Sequence, residues 1–360
     1  MASSKILVGP AIETMHRLEA SSVQCIVTSP PYYGLRSYGG LVAQFGGDPD
    51  CDHQWDTSEV VLRITGGLSD KQLSNPGSVT EPVGATRCGL CGMWVGELGS
   101  EPDPQDYIAH LVEVFRAARR VLHHTGLLWI VIGDSYVGSG RGPTGHNGIG
   151  NQSHRQGFVG GRGVAPSRAR GLKPKDLMMI PARLAIALQE DGWYLRSDII
   201  WAKPNPMPSS VRDRPTLSHE HILMLSKSRR YYYNQDAIRE QSGANRRNVW
   251  NIIVRGTRYN HTATFPEALV EPMILAGSRP GDTVLDPFCG IGTTGLVALR
   301  HGRDFIGIDL SYESAQVANA RILAMNEAKL VRSGRKVWHQ LPIPTEDEHE
   351  LRGADVSELS

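Results

Sequence analysis

The chain has 360 residues, of which 40% are hydrophobic and 21% are charged, an ordinary balance for a globular protein in water. This length suits one large α/β domain with insertions or two modest domains, and the lack of any apolar run near 18 residues excludes a transmembrane helix. The net charge of +1 does not indicate a nucleic-acid partner, and an odd count of five cysteines argues against a disulfide framework.

The first half of the chain predicts two strands and a helix around a long insertion. Residues 22–28 are apolar and β-rich, and this strand must end at the consecutive prolines that follow it. Residues 39–103 are rich in Gly, Asp, Ser and Pro with little periodicity, which indicates an inserted segment. Apolar spacing then predicts a helix over 104–122, and a β-rich run predicts a strand over 127–132.

The second half alternates strands and helices after a loop over 139–171 that is rich in Gly and Arg. Strands are predicted over 194–201, 221–226, 231–233, 283–285 and 304–308, and helices over 181–191, 266–276, 295–301 and 311–327. The strands 221–226 and 231–233 suggest a hairpin. Such alternation predicts a mainly parallel sheet with helices on both faces, formed by 1–38 and 104–330, with 331–360 as a tail. The first ten residues lack a signal peptide's apolar core, so we expect a cytoplasmic protein.

A glycine-containing turn near residue 290 has the pattern of a nucleotide-type ligand site. A strand ends at Asp286, the turn contains Gly290 and Gly292, and Thr293-Thr294 is placed to cap the next helix. The following strand ends at Asp309, where a carboxylate can hold two ribose hydroxyls.

Two motifs carry a resemblance to a known family. The loop Ser29-Pro30-Pro31-Tyr32 and the phrase DPFCGIGTTG, followed by GID, resemble the catalytic and cofactor motifs of DNA methyltransferases that modify exocyclic amino groups. Their order resembles the permuted β group of that family, and the likeness covers roughly residues 5–325. One departure is Gly9-Pro10, where relatives often carry Gly-Asp. The resemblance implies a Rossmann-like class I methyltransferase fold, S-adenosylmethionine as cofactor, double-stranded DNA as substrate, and a bacterial, archaeal or phage origin.

The resemblance also assigns roles to the residues of both loops. An exocyclic amine is a poor nucleophile because its lone pair is delocalised into the ring, and hydrogen bonds accepted from its N–H groups favour a tetrahedral nitrogen. Ser29 Oγ and the Pro30 carbonyl are the expected acceptors, Pro31 stiffens the loop, and Tyr32 is expected to stack on a flipped base. Cys25 is expected in the core. The expected cofactor residues are Phe265, Asp286, Pro287, Phe288, Gly290, Gly292, Thr293, Thr294 and Asp309.

A cysteine cluster in the insertion predicts a structural zinc ion. Cys51, His53, Cys88 and Cys91 supply a Cys3His set with a C-x-x-C half. The insertion has too few apolar residues to fold by its own core, which favours a metal staple. The alternative is a set of free thiols in a loop.

The DNA-contacting surface is expected in the insertion, the basic loop 139–171 and residues 203–258. The loop and the two Lys that follow it carry five Arg and two Lys with no acidic residue between 139 and 175. Candidate contacts to phosphates or guanine edges are Arg141, Arg162, Arg212, Arg214, Arg246 and Arg247.

Ser29 favours N4 of cytosine as the target, and N6 of adenine is the alternative. An RNA amino-methyltransferase and a catalytically silent DNA-binding protein are further alternatives. A cognate restriction endonuclease is a possible partner, and the chain is expected to act as a monomer or homodimer.

Overall fold

The computed structural model describes residues 2–34, 41–56, 86–137, 171–209, 211–254 and 265–332. The chain divides into two compact units, Met1–Ile322 and Leu323–Ser360. Nearly all of the basic loop predicted over 139–171, and the tail beyond residue 332, lie outside the described residues.

The described strands and helices alternate over most of the chain. The strands are β1 (Ser4–Val8), β2 (Val23–Thr28), β3 (Ala43–Phe45), β4 (Trp55–Asp56), β5 (Thr86–Cys88), β6 (Trp94–Gly96), β7 (Leu122–Ile132), β8 (Tyr194–Ala202), β9 (His219–Ser226), β10 (Val249–Asn251), β11 (Thr283–Asp286) and β12 (Asp304–Asp309). The helices are α1 (Ala11–His16), α2 (Pro104–Val121), α3 (Ile180–Glu190), α4 (Glu267–Gly277), α5 (Thr293–Arg300) and α6 (Tyr312–Arg332). No helix among the described residues is both long and apolar enough to cross a membrane.

Eight strands form the central sheet, in the order β1-β12-β11-β2-β7-β9-β8-β10. The five strands from β1 to β7 in that order are mutually parallel, whereas β9 runs antiparallel to both β7 and β8. Every residue of β2 is buried, and so is every residue of β7 from Leu127 to Ile132. A strand that buries both of its faces needs a layer on each side of the sheet. The predicted α/β fold is therefore confirmed.

Helices supply those two layers. The helices α1, α2 and α3 pack side by side, and α4 and α5 pack against each other and against the strands β2, β11 and β12. The helix α2 begins at Pro104, a residue suited to a first helical turn, and the side chain of Asp103 caps it by accepting from the Gln105 amide. Its buried face includes Tyr107, Leu111 and Phe115.

The inserted segment contains a small antiparallel sheet in the order β3-β6-β5-β4, which the sequence pattern did not predict. Its apolar residues Phe45 and Trp94 are buried and belong to the same hydrophobic cluster as α2. The insertion therefore shares the main core. Its apolar support comes from a helix outside it, so the insertion does not depend on a core of its own.

Two local expectations are also corrected. Residues 231–233 form no strand: the Tyr232 amide donates to the Thr125 carbonyl of β7 at 2.8 Å, but these residues form no strand ladder with it. The strand β9 pairs with β7 and β8 instead. The N-cap of α5 is Gly292, and no threonine side chain caps it, because the Thr294 hydroxyl is bonded elsewhere.

Candidate active site

The two motif-bearing loops lie at adjacent strand tips. The strands β2 and β11 are parallel neighbours, so their carboxyl ends, Thr28 and Asp286, lie at the same edge of the sheet. The Thr28 hydroxyl donates to Asp286 Oδ1 at 2.7 Å. A loop near residue 30 and a turn near residue 290 are therefore joined by a direct hydrogen bond across 258 positions of sequence.

Asp286 is buried, and its carboxylate accepts hydrogen bonds from Thr28, Phe288 and Thr294. Its Oδ2 accepts from the Thr294 hydroxyl at 2.6 Å, and its Oδ1 also accepts from the Phe288 amide at 3.1 Å. Burial raises the pKa of this carboxyl to about 6, against the hydrogen bonds from Thr294 and Thr28, which lower it. Its role in this structure is to hold the two loops together.

The glycine turn leaves room for a ligand beside Asp309. Gly290 has φ +50°, and a Cβ built on it would meet no atom within 4 Å. The Gly290 amide donates to Asp309 Oδ2 at 2.8 Å, and the Ser311 amide donates to Asp309 Oδ1 at 2.8 Å. Gly292 has φ +76°, and a Cβ there would lie 2.9 Å from Ala318 Cβ. The two amide hydrogen bonds fix the orientation of the Asp309 carboxylate at the end of β12, where it can accept hydrogen bonds from ribose hydroxyls.

The other residues expected at the cofactor are placed around this turn. Pro287 and Thr293 are buried, whereas Phe265 and Phe288 are half-buried. Phe265 directly precedes Pro266, the N-cap residue of α4. The contacts of these residues with a cofactor remain predictions.

The catalytic-loop candidates follow β2 directly. Ser29 and Tyr32 are half-buried, and the Ser29 hydroxyl donates to Tyr32 Oη at 3.4 Å. Tyr32 Oη donates in turn to Glu220 Oε2 at 2.7 Å, and Glu220 Oε1 is paired with Lys203 Nζ. Cys25 is fully buried, and burial raises the pKa of its thiol to about 12, which suits a core residue rather than a nucleophile.

Residues outside the motifs form hydrogen bonds with the backbone of this loop, and sequence reasoning missed them. Tyr107 of α2 donates from its hydroxyl to the Pro31 carbonyl at 2.6 Å. The Gly99 carbonyl accepts from the Gly34 amide at 2.9 Å. A tyrosine on the buried face of a predicted helix was the available signal, because a buried hydroxyl needs a partner.

A buried hydrogen bond between Glu101 and His110 continues this support into the insertion. Glu101 Oε2 accepts from the Gly99 amide at 2.7 Å, and Glu101 Oε1 lies 2.9 Å from His110 Nδ1. The His110 ring stacks against both Phe45 and Trp94, with centroids 4.8 and 5.1 Å away, and the Phe45 and Trp94 rings are 5.8 Å from each other. The insertion therefore packs on the residues that support the loop after β2.

The predicted metal ligands are brought together. The ligand atoms of Cys51, His53, Cys88 and Cys91 all lie within 4.8 Å of one another. The Cys51 and Cys88 sulfurs are 4.0 Å apart, and Cys91 Sγ is 3.5 Å from His53 Nδ1. A tetrahedral zinc ion with Zn–S bonds of about 2.3 Å needs sulfurs about 3.8 Å apart, so this set fits the ion.

The candidate DNA-binding arginines occupy different environments. Arg212 is exposed, whereas Arg214 stacks over the Tyr136 ring at 3.7 Å, just beyond the end of β7. Arg246 stacks on Trp250 at 4.5 Å and is half-buried, and Arg247 is exposed and lies 3.9 Å from Glu240. Arg141 and Arg162 lie outside the described residues.

Comparison with known proteins agrees with this geometry. The family profile N6_N4_Mtase, described as DNA methylase, matches residues 23–320. The chain belongs to this family. It is therefore a DNA methyltransferase of the class that modifies N6 or N4 amino groups.

Individual relatives share most of their length with this methyltransferase. It is 40% identical over 331 residues to the Type II methyltransferase M.SmaI of Serratia marcescens, covering 90% of this chain and 92% of the relative. It is 40% identical over 318 residues to the Type II methyltransferase M.Cfr9I of Citrobacter freundii, covering 87% and 86%.

Solved structures share the fold of this methyltransferase. The PvuII DNA methyltransferase, named cytosine-N4-specific, has a TM-score of 0.55 at 15% identity, over 92% of this chain and 93% of its own. TTHA0409 of Thermus thermophilus, in complex with S-adenosyl-L-methionine, has a TM-score of 0.52 at 22% identity, over 89% and 94%. At these identities the likeness establishes the fold alone.

Proposed function

We propose that this methyltransferase transfers a methyl group from S-adenosylmethionine to the exocyclic amino nitrogen of a base flipped out of double-stranded DNA. The observation that carries the proposal is the Thr28–Asp286 hydrogen bond, which joins the amine-binding loop to the cofactor turn. A methyl donor held by the turn and an amine held by the loop would then face each other. Positioning of this kind is the main source of rate in such a transfer.

The residues of the glycine turn fit an adenosyl cofactor. The donor supplies an electrophilic methyl group on a sulfonium. The Asp309 carboxylate is oriented by two amides, and each carboxylate oxygen can accept more than one hydrogen bond, so it can also accept from ribose hydroxyls. The open space beside Gly290 allows a ligand to approach the backbone. Phe265 and Phe288 are proposed to pack near the methionine end.

The loop after β2 supplies the amine site. Ser29 Oγ and the Pro30 carbonyl are proposed to accept the two N–H bonds of the target amine. The nitrogen then becomes more tetrahedral, and the positive charge that develops on it is stabilised. Tyr32 is proposed to stack on the flipped base. Tyr107 binds the Pro31 carbonyl, which holds the backbone of the loop in place.

We propose N4 of cytosine as the target. A serine at position 29 supports it. N6 of adenine is the alternative. Mass spectrometry of nucleosides from DNA treated with enzyme and S-adenosylmethionine separates N4-methylcytosine from N6-methyladenine.

The same reaction tests the assignment of the loop. Ser29→Ala should abolish most methyl transfer while binding S-adenosylmethionine as tightly as the wild type does. Ser22→Ala, an exposed serine just before the amino-terminal end of β2, is the matched control and should transfer normally. Base-resolution sequencing of the modified DNA would give the recognised sequence. A wild-type protein that binds the cofactor but methylates no DNA would overturn the proposal.

We propose that Cys51, His53, Cys88 and Cys91 hold one structural zinc ion. Four protein ligands leave no open position for catalysis. The Leu90 amide, 3.4 Å from Cys88 Sγ, supports a thiolate there. Elemental analysis should find about one zinc per chain, and Cys91→Ser should lose it, whereas Cys289→Ser, outside the cluster, should keep it. A fully folded, metal-free wild type would defeat this assignment.

We further propose that the chain is a β-group enzyme of a restriction–modification system. The amine-binding loop precedes the cofactor turn by about 260 residues, which is the permuted order of that group. The Type II names of the relatives support a partner endonuclease that cuts the same sequence. Protection of DNA from that endonuclease after methylation is the corresponding test.

A further inference from the structure

We propose that Glu220, with Lys203 as its counter-ion, is a positioning residue that sets the direction of hydrogen bonding at Ser29. In this arrangement Ser29 Oγ presents lone pairs to the target amine and keeps its proton turned away. The inference rests on the proposed function, in which Ser29 accepts an N–H bond, and it adds the residues that make Ser29 an acceptor.

A serine in this position needs a positioning partner because its hydroxyl can either donate or accept a hydrogen bond. A hydroxyl can donate or accept, whereas an ionised carboxylate only accepts. If the Ser29 proton pointed into the pocket, it would oppose the N–H groups of the amine. The proton of Ser29 therefore needs a fixed acceptor on the side away from the base.

The structure supplies that acceptor through a chain of three groups. Glu220 is paired with the Lys203 ammonium, and both side chains are largely buried, with 17% and 18% of their surface exposed. A carboxylate can only accept, so Tyr32 Oη must donate to it, and this bond is 2.7 Å long. Tyr32 Oη can therefore act as an acceptor on its other side, and the Ser29 hydroxyl donates to it at 3.4 Å. Catalytic hydrogen bonds in ligand-free enzymes are often this long and shorten in the complex.

Contacts with the sheet hold the side chains of Glu220, Lys203 and Tyr32 in place. Glu220 of β9 lies opposite Trp201 of β8, and the Lys203 ammonium lies over the Trp201 ring, 4.4 Å from its centroid. The Tyr32 ring packs on Gly133, where a Cβ would come within 2.7 Å of Tyr32 Cε2. The Tyr32 hydroxyl is therefore held at Glu220 by contacts on both the ring and the oxygen.

The decisive variant is Glu220→Gln, which keeps the shape of the side chain. Its amide can donate to Tyr32 as well as accept from it, so the direction of the chain is no longer fixed. Single-turnover transfer from tritiated S-adenosylmethionine to unmethylated plasmid DNA should slow by about 10- to 100-fold, the range for loss of a charge-assisted hydrogen bond. The affinity for S-adenosylmethionine and the melting temperature should stay near wild type. The control is Glu271→Gln, a glutamate paired with His301 and 44% exposed, which should transfer at the wild-type rate.

A double-mutant cycle separates this role from a general structural one. Tyr32→Phe removes the hydroxyl that links Ser29 to Glu220, so adding Glu220→Gln to Tyr32→Phe should cause no further loss of transfer rate. In a Ser29→Asp background the acceptor needs no orientation, and Glu220→Gln should cost little there. If Glu220→Gln unfolds the protein, Lys203→Met gives the same cycle from the other end of the pair.

The outcomes distinguish the two claims. A wild type that transfers no methyl group overturns the proposed function itself. An active wild type with an equally active Glu220→Gln variant overturns the positioning role. Rate losses that multiply in the Tyr32→Phe double variant also overturn it, because Glu220 would then act by another route.

Discussion

The buried carboxyl of Asp286 gives this protein a specific dependence of folding stability on pH. Burial raises its pKa from 3.8 to about 6, so the folded chain keeps this proton to a higher pH than the unfolded chain does. The free energy of unfolding should therefore fall as the pH rises from about 4 to about 6, and this group should add no further change above that. A difference of about 2 pH units corresponds to about 3 kcal/mol.

Asp286→Asn isolates this contribution. The asparagine is neutral at every pH, its carbonyl can accept from Thr28 and from the Phe288 amide, and its amide can donate to the Thr294 hydroxyl. The variant should match the wild type near pH 4 and exceed it by up to about 3 kcal/mol at pH 7 to 8. Urea unfolding followed by tryptophan fluorescence at pH 4, 5, 6, 7 and 8 gives the difference curve directly.

The matched control is Asp236→Asn, in which an aspartate with 80% of its side chain exposed loses a surface pair with Arg239. Its difference curve should stay within about 0.5 kcal/mol of zero. A difference between Asp286→Asn and wild type that is constant from pH 4 to 8 would refute the reasoning, since Asp286 would then titrate alike in both states.

Three further outcomes follow from the site. Asp309→Asn turns an N–H group against either the Gly290 amide or the Ser311 amide, and should weaken S-adenosylmethionine binding by about 10- to 100-fold in a calorimetric titration; unchanged affinity would place the ribose elsewhere. Gly99→Ala should cost about 1–3 kcal/mol in urea unfolding and slow methyl transfer, because φ is +91° and the new Cβ would lie 3.0 Å from the Tyr32 carbonyl; wild-type values in both assays would contradict this. Removal of zinc by a strong chelator should lower the melting temperature of the wild type and leave that of Cys91→Ser unchanged; equal effects on both would exclude a metal at the cluster.

Much of the sheet could be predicted because its strands are apolar runs, some of them short, that end next to chemically distinct residues. The run 22–28 before two prolines and the run 283–285 before Asp286 are of this kind. The strands β3 to β6 could not be predicted, because each has only two or three residues and none repeats a pattern. The false strand at 231–233 shows the converse, since aromatic residues favour β-structure without supplying a partner.

The candidate site could likewise be predicted only in part from the sequence. The loops containing Ser29 and Asp309 were found because each motif is contiguous. Glu220 and Tyr107 were not assigned roles, because they reach the loop through contacts across 188 and 76 positions of sequence. Such contacts depend on which strands become neighbours, and local sequence does not encode that.

Residues 94–101, which lead from the insertion back to α2, support the loop after β2. This support limits which parts of the insertion can change. Gly99 and Glu101 lie between the cysteine cluster and α2, and they bond to the backbone of the loop or to its supports. Replacing the whole insertion with another sequence would remove the hydrogen bonds of Gly99 and Glu101 that support the loop. Sequence change within the insertion is therefore constrained to residues upstream of Trp94, because residues 94–101 must be kept to support the loop after β2.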